Sequence, residues 1–297
     1  MSARSIALIG YGEVGQILAE DLHQRGFGEV SVWDILFADP TSAPSRAARA
    51  AGVHVAGSAA DAVKNADLVI CAVTAANDVA ATAAAAPGLA TNAWYLDVNS
   101  TSPDVRRQAA DLVLARAGRY VEAAVMSPIS PKRIATSMLL GGPYAEQFLD
   151  FGMQLGFTGT RFFSPDIGKA SAAKMCRSVV VKGMEALLGE SMLAARRYGV
   201  EQTVLDSLQD LFPGSDWETK ARYMISRSLV HGRRRAEEMQ QAALTVKAAG
   251  IEPSMSTACV DRQAWAAAHV EATRHQRLDE MLDAVLASDA IQQGINR

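Results

Sequence analysis

The sequence predicts a doubly wound parallel α/β sheet followed by an all-helical domain. Three observations carry this. The chain opens on a β-like run (5–9), a glycine turn Gly10-Tyr11-Gly12-Glu13-Val14-Gly15, and a segment (16–25) with Ile17, Leu18 and Leu22 at helical spacing. Short apolar runs then alternate with helix-like segments through the first half. Near Phe163 the character changes, and from Ala170 onward almost everything has helical period.

The individual elements follow in order. After the opening strand and helix, Val30–Trp33 is a second apolar run ending at Asp34. Residues 47–51 and 61–64 read as short helices, with a short strand over 53–55 between them. The stretch 68–73 is apolar throughout, as a parallel strand covered on both faces must be. Residues 75–86 are alanine-rich but interrupted by Asn77, Asp78 and Thr82, which predicts a surface helix. A strand over 93–98 leads into the polar turn Asn99-Ser100-Thr101-Ser102-Pro103 and a helix over 104–117. Residues 120–125 and 137–140 read as later strands. The helix over 170–198 contains no proline, and at about 1.5 Å per residue it is long enough to join two domains. Helices over 217–249, 255–268 and 278–286 complete the chain, with stops at Pro213-Gly214 and at Gly250 to Pro253. The expected domains are 1–165, binding a nucleotide, and 166–297, helical.

Composition narrows the class. With 297 residues, 49% hydrophobic and 21% charged, either half can bury a core. A formal charge of -3 gives no electrostatic footprint for nucleic acid. Cys71, Cys176 and Cys259 are far apart and form no metal-ligand spacing, so no zinc site or disulfide framework is expected. No apolar stretch has the length of a membrane span, and the N-terminal apolar run is too short for a signal peptide; a cytoplasmic protein is expected.

The GxGxxG turn sits between a strand and a helix, the context in which it binds a dinucleotide. Gly10 permits the tight turn, Gly12 lets the backbone approach a pyrophosphate, and Gly15 lets helix and strand pack closely. The helix N-terminus offers N–H groups and a positive dipole end to the phosphates. Asp34 closes the next strand, where a carboxylate accepts from the adenosine ribose hydroxyls and repels a 2′-phosphate. The expected fold is thus of Rossmann type, and the expected cofactor is NAD, with NADP possible.

The glycine-rich turn and lysine in Gly168-Lys169-Ala170-Ser171-Ala172-Ala173-Lys174-Met175 carry a family resemblance. The chain resembles the β-hydroxyacid dehydrogenases, which include 6-phosphogluconate and 3-hydroxyisobutyrate dehydrogenases. Its C-terminal half, around His231-Gly232-Arg233-Arg234-Arg235-Ala236-Glu237-Glu238-Met239, resembles a branch described only as 6-phosphogluconate dehydrogenase-like. The resemblance implies that Lys174 is the general base for hydride transfer from an alcohol carbon to the nicotinamide. Lys169 is a decoy whose neighbour Asp166 makes a surface pair plausible. The implied cofactor-binding set is Gly10, Tyr11, Gly12, Glu13, Val14, Gly15, Asp34, Val73, Thr74, Asn99 and Ser100, the last two placed to touch the nicotinamide ribose.

The substrate end departs from the family pattern. Ser178 stands where the family has a substrate-binding asparagine, one turn after the lysine. Met126-Ser127-Pro128 replaces Ser-Gly-Gly; proline removes an N–H donor and methionine adds apolar bulk. A bulkier or less acidic alcohol than a short hydroxy acid is therefore expected. On a helix His231, Arg234, Arg235 and Glu238 share one face, and His231 and Arg234 are the candidates to reach the substrate. An imine reductase has the same two-domain build but usually lacks the lysine; a non-catalytic dinucleotide-binding protein is a reading from another class. The resemblance also implies a homodimer through the helical domain.

Overall fold

The computed structural model describes residues 5–27 and 30–292. The chain forms two compact units, Met1–Met175 and Cys176–Arg297.

The first unit is built on eight strands: β1 (Ile6–Ile9), β2 (Val30–Trp33), β3 (His54–Val55), β4 (Leu68–Cys71), β5 (Trp94–Asp97), β6 (Arg119–Val125), β7 (Met138–Gly141) and β8 (Thr160–Ser164). Their order is β3-β2-β1-β4-β5-β6-β7-β8. The first six run parallel. They alternate with α1 (Glu13–Gln24), α2 (Ala43–Ala51), α3 (Ala59–Val63), α4 (Asp78–Ala85) and α5 (Pro103–Leu114). Side chains alternate across the sheet, so each strand feeds two cores. Ile6 and Leu8 join Leu18, Leu22, Ile70, Leu96 and Phe148 on one face. Ala7 and Ile9 join Val69, Tyr95, Val113 and Tyr120 on the other. Because β1 lies between β2 and β4, chain direction across the sheet reverses beside it, which is where doubly wound sheets bind ligands.

The expected Rossmann-type sheet is present, and its far edge differs from the expected all-parallel pattern. β7 pairs with β6 antiparallel, and β8 follows β7 in parallel. The connection from β6 to β7 holds only α6 (Ile129–Lys132) and a 3-10 turn (Arg133–Ala135), too little structure to cover a sheet face and return the chain in the same sense. After β7, α7 (Ala145–Leu155) does cross the sheet, and its Phe148 packs edge-on to Trp94 with ring centres 5.4 Å apart.

The second unit is helical, as expected, and the connecting element α8 (Lys169–Tyr198) is one continuous helix. It is followed by α9 (Glu201–Leu211), α10 (Trp217–Ala248), α11 (Ser254–Ala266) and α12 (Leu278–Gln292). Leu188, Met192, Trp217, Ile225, Leu229, Met281 and Leu282 form its core. Gly232 on α10 lets α11 approach closely: a Cβ there would lie 2.4 Å from the Gln263 carbonyl oxygen. Among the described residues no helix is long and apolar enough to cross a membrane.

Candidate active site

The glycine turn leaves β1 and enters α1, and its three glycines have different physical reasons. Gly10 has φ +96°, and a Cβ there would lie 2.3 Å from the Ala72 carbonyl oxygen, at the exit of β4. A Cβ on Gly15 would lie 2.2 Å from the Gly10 carbonyl oxygen. Nothing lies within 4 Å of a Cβ built on Gly12. Gly12 is also the N-cap of α1 and places no side chain over the helix end. The protein's own packing thus explains Gly10 and Gly15, and the open space over Gly12 fits a pyrophosphate at the helix N-terminus. Glu13 is exposed in the first turn, and Val14 packs partly against the core.

Asp34 ties this turn to β2. Its carboxylate accepts from the Tyr11 N–H at 2.7 Å and from the Leu36 N–H at 2.9 Å, capping a 3-10 turn. Each carboxylate oxygen retains a second lone pair, so the half-buried group can still accept from a ribose diol. Tyr11 is buried, its ring 6.1 Å from that of Phe37.

The ends of β4 and β5 meet at Asn99. Its Oδ1 accepts from the Val73 N–H at 2.7 Å, and its amide donates to Asp78 at 2.9 Å and to the Cys71 sulfur at 3.3 Å. At 3% exposure the Asn99 side chain is spent inside the protein, where it fixes the two loops. Thr74 is exposed, and its hydroxyl accepts from Asn77 at 2.8 Å.

Beneath these loops lies a buried polar network that sequence reasoning did not assign. Asp97 pairs with Arg106 and accepts from the Tyr120 hydroxyl at 2.8 Å. Arg106 also donates to the carbonyls of Asp97 and Asn99. Asp78 accepts from Thr101 at 3.0 Å as well as from Asn99. Three buried acids, Asp78, Asp97 and Glu122, thus face one buried arginine. Burial, then the charge of Asp97, push the Asp78 carboxyl up to about 7 against the pull of Arg106. Burial also raises Glu122, opposed by Arg106 and two backbone N–H groups. The signal was present as acids inside apolar runs, Asp97 in WYLD and Glu122 in YVEAAV.

The start of α8 is held against the same loops. Glu122 accepts from the Gly168 N–H at 2.6 Å and from the Ser171 N–H at 2.5 Å, and the Ser171 hydroxyl donates to the Thr101 carbonyl. One turn later the half-buried Lys174 Nζ donates to the Ser100 Oγ at 2.5 Å. Lys169 is exposed. Met126 packs on Ala124, Leu139 and Ala170, beside Ala173. The Ser127 hydroxyl is 3.0 Å from that of Thr136, and Pro128 is exposed at the start of α6. Ser100 and Met126 therefore both meet the first turns of α8, Ser100 at Lys174 and Met126 at Ala170.

The other expected substrate residues belong to the second unit. Ser178 is buried and accepts from Lys182 Nζ at 3.1 Å; Lys182 in turn pairs with Glu238 at 2.8 Å. Arg235 pairs with Glu185 at 2.5 Å, so Arg235 and Glu238 face α8. On the same helix His231 is half-buried and Arg234 exposed.

Sheet order, open glycine turn and acid-terminated second strand define a dinucleotide-binding protein. Residues 5–149 match the NAD binding domain of 6-phosphogluconate dehydrogenase, and residues 195–266 match a domain of unknown function, DUF1932. The chain belongs to the β-hydroxyacid dehydrogenase family, in the branch that carries this C-terminal domain. It is similar to a conserved hypothetical protein from Sinorhizobium meliloti, at 34% identity over 96% of this chain and 97% of that one, with TM-score 0.74. A conserved protein described as structurally similar to 3-hydroxyacid dehydrogenases is 30% identical, covering 96% of this chain and 99% of that one, TM-score 0.68. Mycobacterium tuberculosis 3-hydroxyisobutyrate dehydrogenase shares the fold at 19% identity, covering 96% and 98%, TM-score 0.71.

Proposed function

We propose that the chain oxidises the alcohol of a β-hydroxy acid or related hydroxy compound, with NAD as the preferred cofactor and Lys174 as general base. The observation that carries this reading is the hydrogen bond from Lys174 Nζ to Ser100 Oγ, at the exit of β5. NAD, held by the glycine turn and Asp34, would supply the acceptor for the hydride of the carbinol carbon. The chain supplies everything else. The α1 N-terminus and Gly12 receive the pyrophosphate. Asp34 accepts from the adenosine ribose hydroxyls, and its charge disfavours a 2′-phosphate. Lys174, as the neutral amine, gives one N–H to Ser100 and takes the substrate hydroxyl proton on its lone pair. The alcohol becomes a carbonyl, and the proton stays on the ammonium until solvent removes it.

The substrate side favours something other than a short hydroxy acid held by its carboxylate. Ser127 is paired with Thr136, Met126 brings an apolar side chain beside Ala173, and Ser178 is engaged by Lys182. His231 and Arg234 are the candidate anion contacts. The test is a panel of β-hydroxy acids, polyols and aryl carbinols with NAD and NADP, read by absorbance of the reduced cofactor. NAD-linked oxidation supports the reading. Reduction of cyclic imines without any alcohol oxidation would overturn it.

A further inference from the structure

We propose that Glu122 is the positioning residue that sets where Lys174 stands; its catalytic consequence rests on the reading of Lys174 as the base. The first turn of a helix leaves backbone N–H groups without intrahelical partners. At α8 those groups are met from far along the chain: the Glu122 carboxylate, on β6, accepts from Gly168 and Ser171 at 2.6 and 2.5 Å. The carboxylate is fully buried. Space for it is reserved on the neighbouring strand, where Gly141 pairs with Glu122 and a Cβ would lie 2.7 Å from Oε2.

Ser171 joins two constraints in one residue. Its N–H goes to Glu122, and its hydroxyl goes to the carbonyl of Thr101, the neighbour of Ser100. Lys174 follows at i+3, on the same helix face, and reaches Ser100. Successive residues turn by about 100°, so a slip of one residue at the α8 start would carry Lys174 off the 98–101 loop. Glu122 blocks that slip because each carboxylate oxygen serves a different N–H. Glutamine has the same shape but only one oxygen, and so it satisfies one of the two.

The experiment compares wild type, Glu122→Gln and Ser171→Ala by competitive acetylation with acetic anhydride over a pH series, quantified per lysine by peptide mass spectrometry. Lys169, exposed on the same helix, is the internal control. In Glu122→Gln the acetylation midpoint of Lys174 should move by about half a unit or more, with Lys169 unchanged. Ser171→Ala keeps the capping N–H, loses only the hydroxyl bond, and should move Lys174 in the same direction; it serves if Glu122→Gln does not fold. An unchanged Lys174 profile in a folded variant overturns the proposal, as does an equal shift of Lys169, which would mean simple fraying of the helix. Failure of the base reading shows separately, as normal turnover by Lys174→Met, because acetylation reports position without any substrate.

Discussion

Lys174 Nζ and Ser100 Oγ lie 2.5 Å apart, joining the start of α8 to the exit of β5 across 74 residues of sequence. The serine is an acceptor for the lysine and holds its nitrogen beside the 98–101 loop. Ser100→Ala removes the acceptor without touching a core side chain. It should fold with an unchanged melting temperature and lose about tenfold in kcat, with the ascending limb of its pH profile displaced. Stopped-assay rates over a pH series check this.

The glycine turn separates folding from binding. Gly15→Ala drives a Cβ against the Gly10 carbonyl, which is backbone and cannot swing aside. A cost of about 1–3 kcal/mol is expected, seen as a lower melting temperature without any ligand. Gly12→Ala meets nothing within 4 Å and should melt like wild type. Its loss should be in NAD affinity, read by the smaller shift in melting temperature that NAD produces.

Asp78 gives the molecule a pH-dependent stability. Its carboxyl is pushed from 3.8 in the unfolded chain up to about 7 by burial and the Asp97 charge. The folded protein therefore holds a proton that the unfolded chain has already released. The contribution is whole below about pH 4 and is lost as pH rises through about 7. Urea midpoints taken across that interval should show this decline, and Asp78→Asn should flatten it.

Much of this was legible in the sequence because it is local. The strand, glycine turn, helix and Asp34 lie within about thirty residues, and each choice has a short-range steric or hydrogen-bonding reason. Lys174 was singled out by the family resemblance that its glycine-rich turn carries, and the long α8 by the absence of proline. What escaped depends on long-range placement. Strand direction is not written in an apolar run, so the reversal at β7 was missed. Asn99 was placed at the nicotinamide ribose by the family resemblance; its hydrogen bonds to Val73, Asp78 and Cys71, which tie the ends of β4 and β5, depend on residues more than twenty positions away. Glu122 and Asp97 received no role from the sequence, because their partners Gly168, Ser171 and Arg106 are distant or one element away. α7 and α9 were passed over; Gly152 interrupts the first, and polar residues dilute the apolar stripe of the second.

The proposed role of Lys174 is to take the substrate proton. It is tested most directly by the turnover of Lys174→Met on whichever alcohol of the panel the wild-type chain oxidises fastest with NAD, alongside NADH affinity by fluorescence. A fall in kcat of about a hundredfold to ten-thousandfold is expected, with NADH affinity unchanged. Turnover near the wild-type rate by a folded, NADH-binding variant would contradict it.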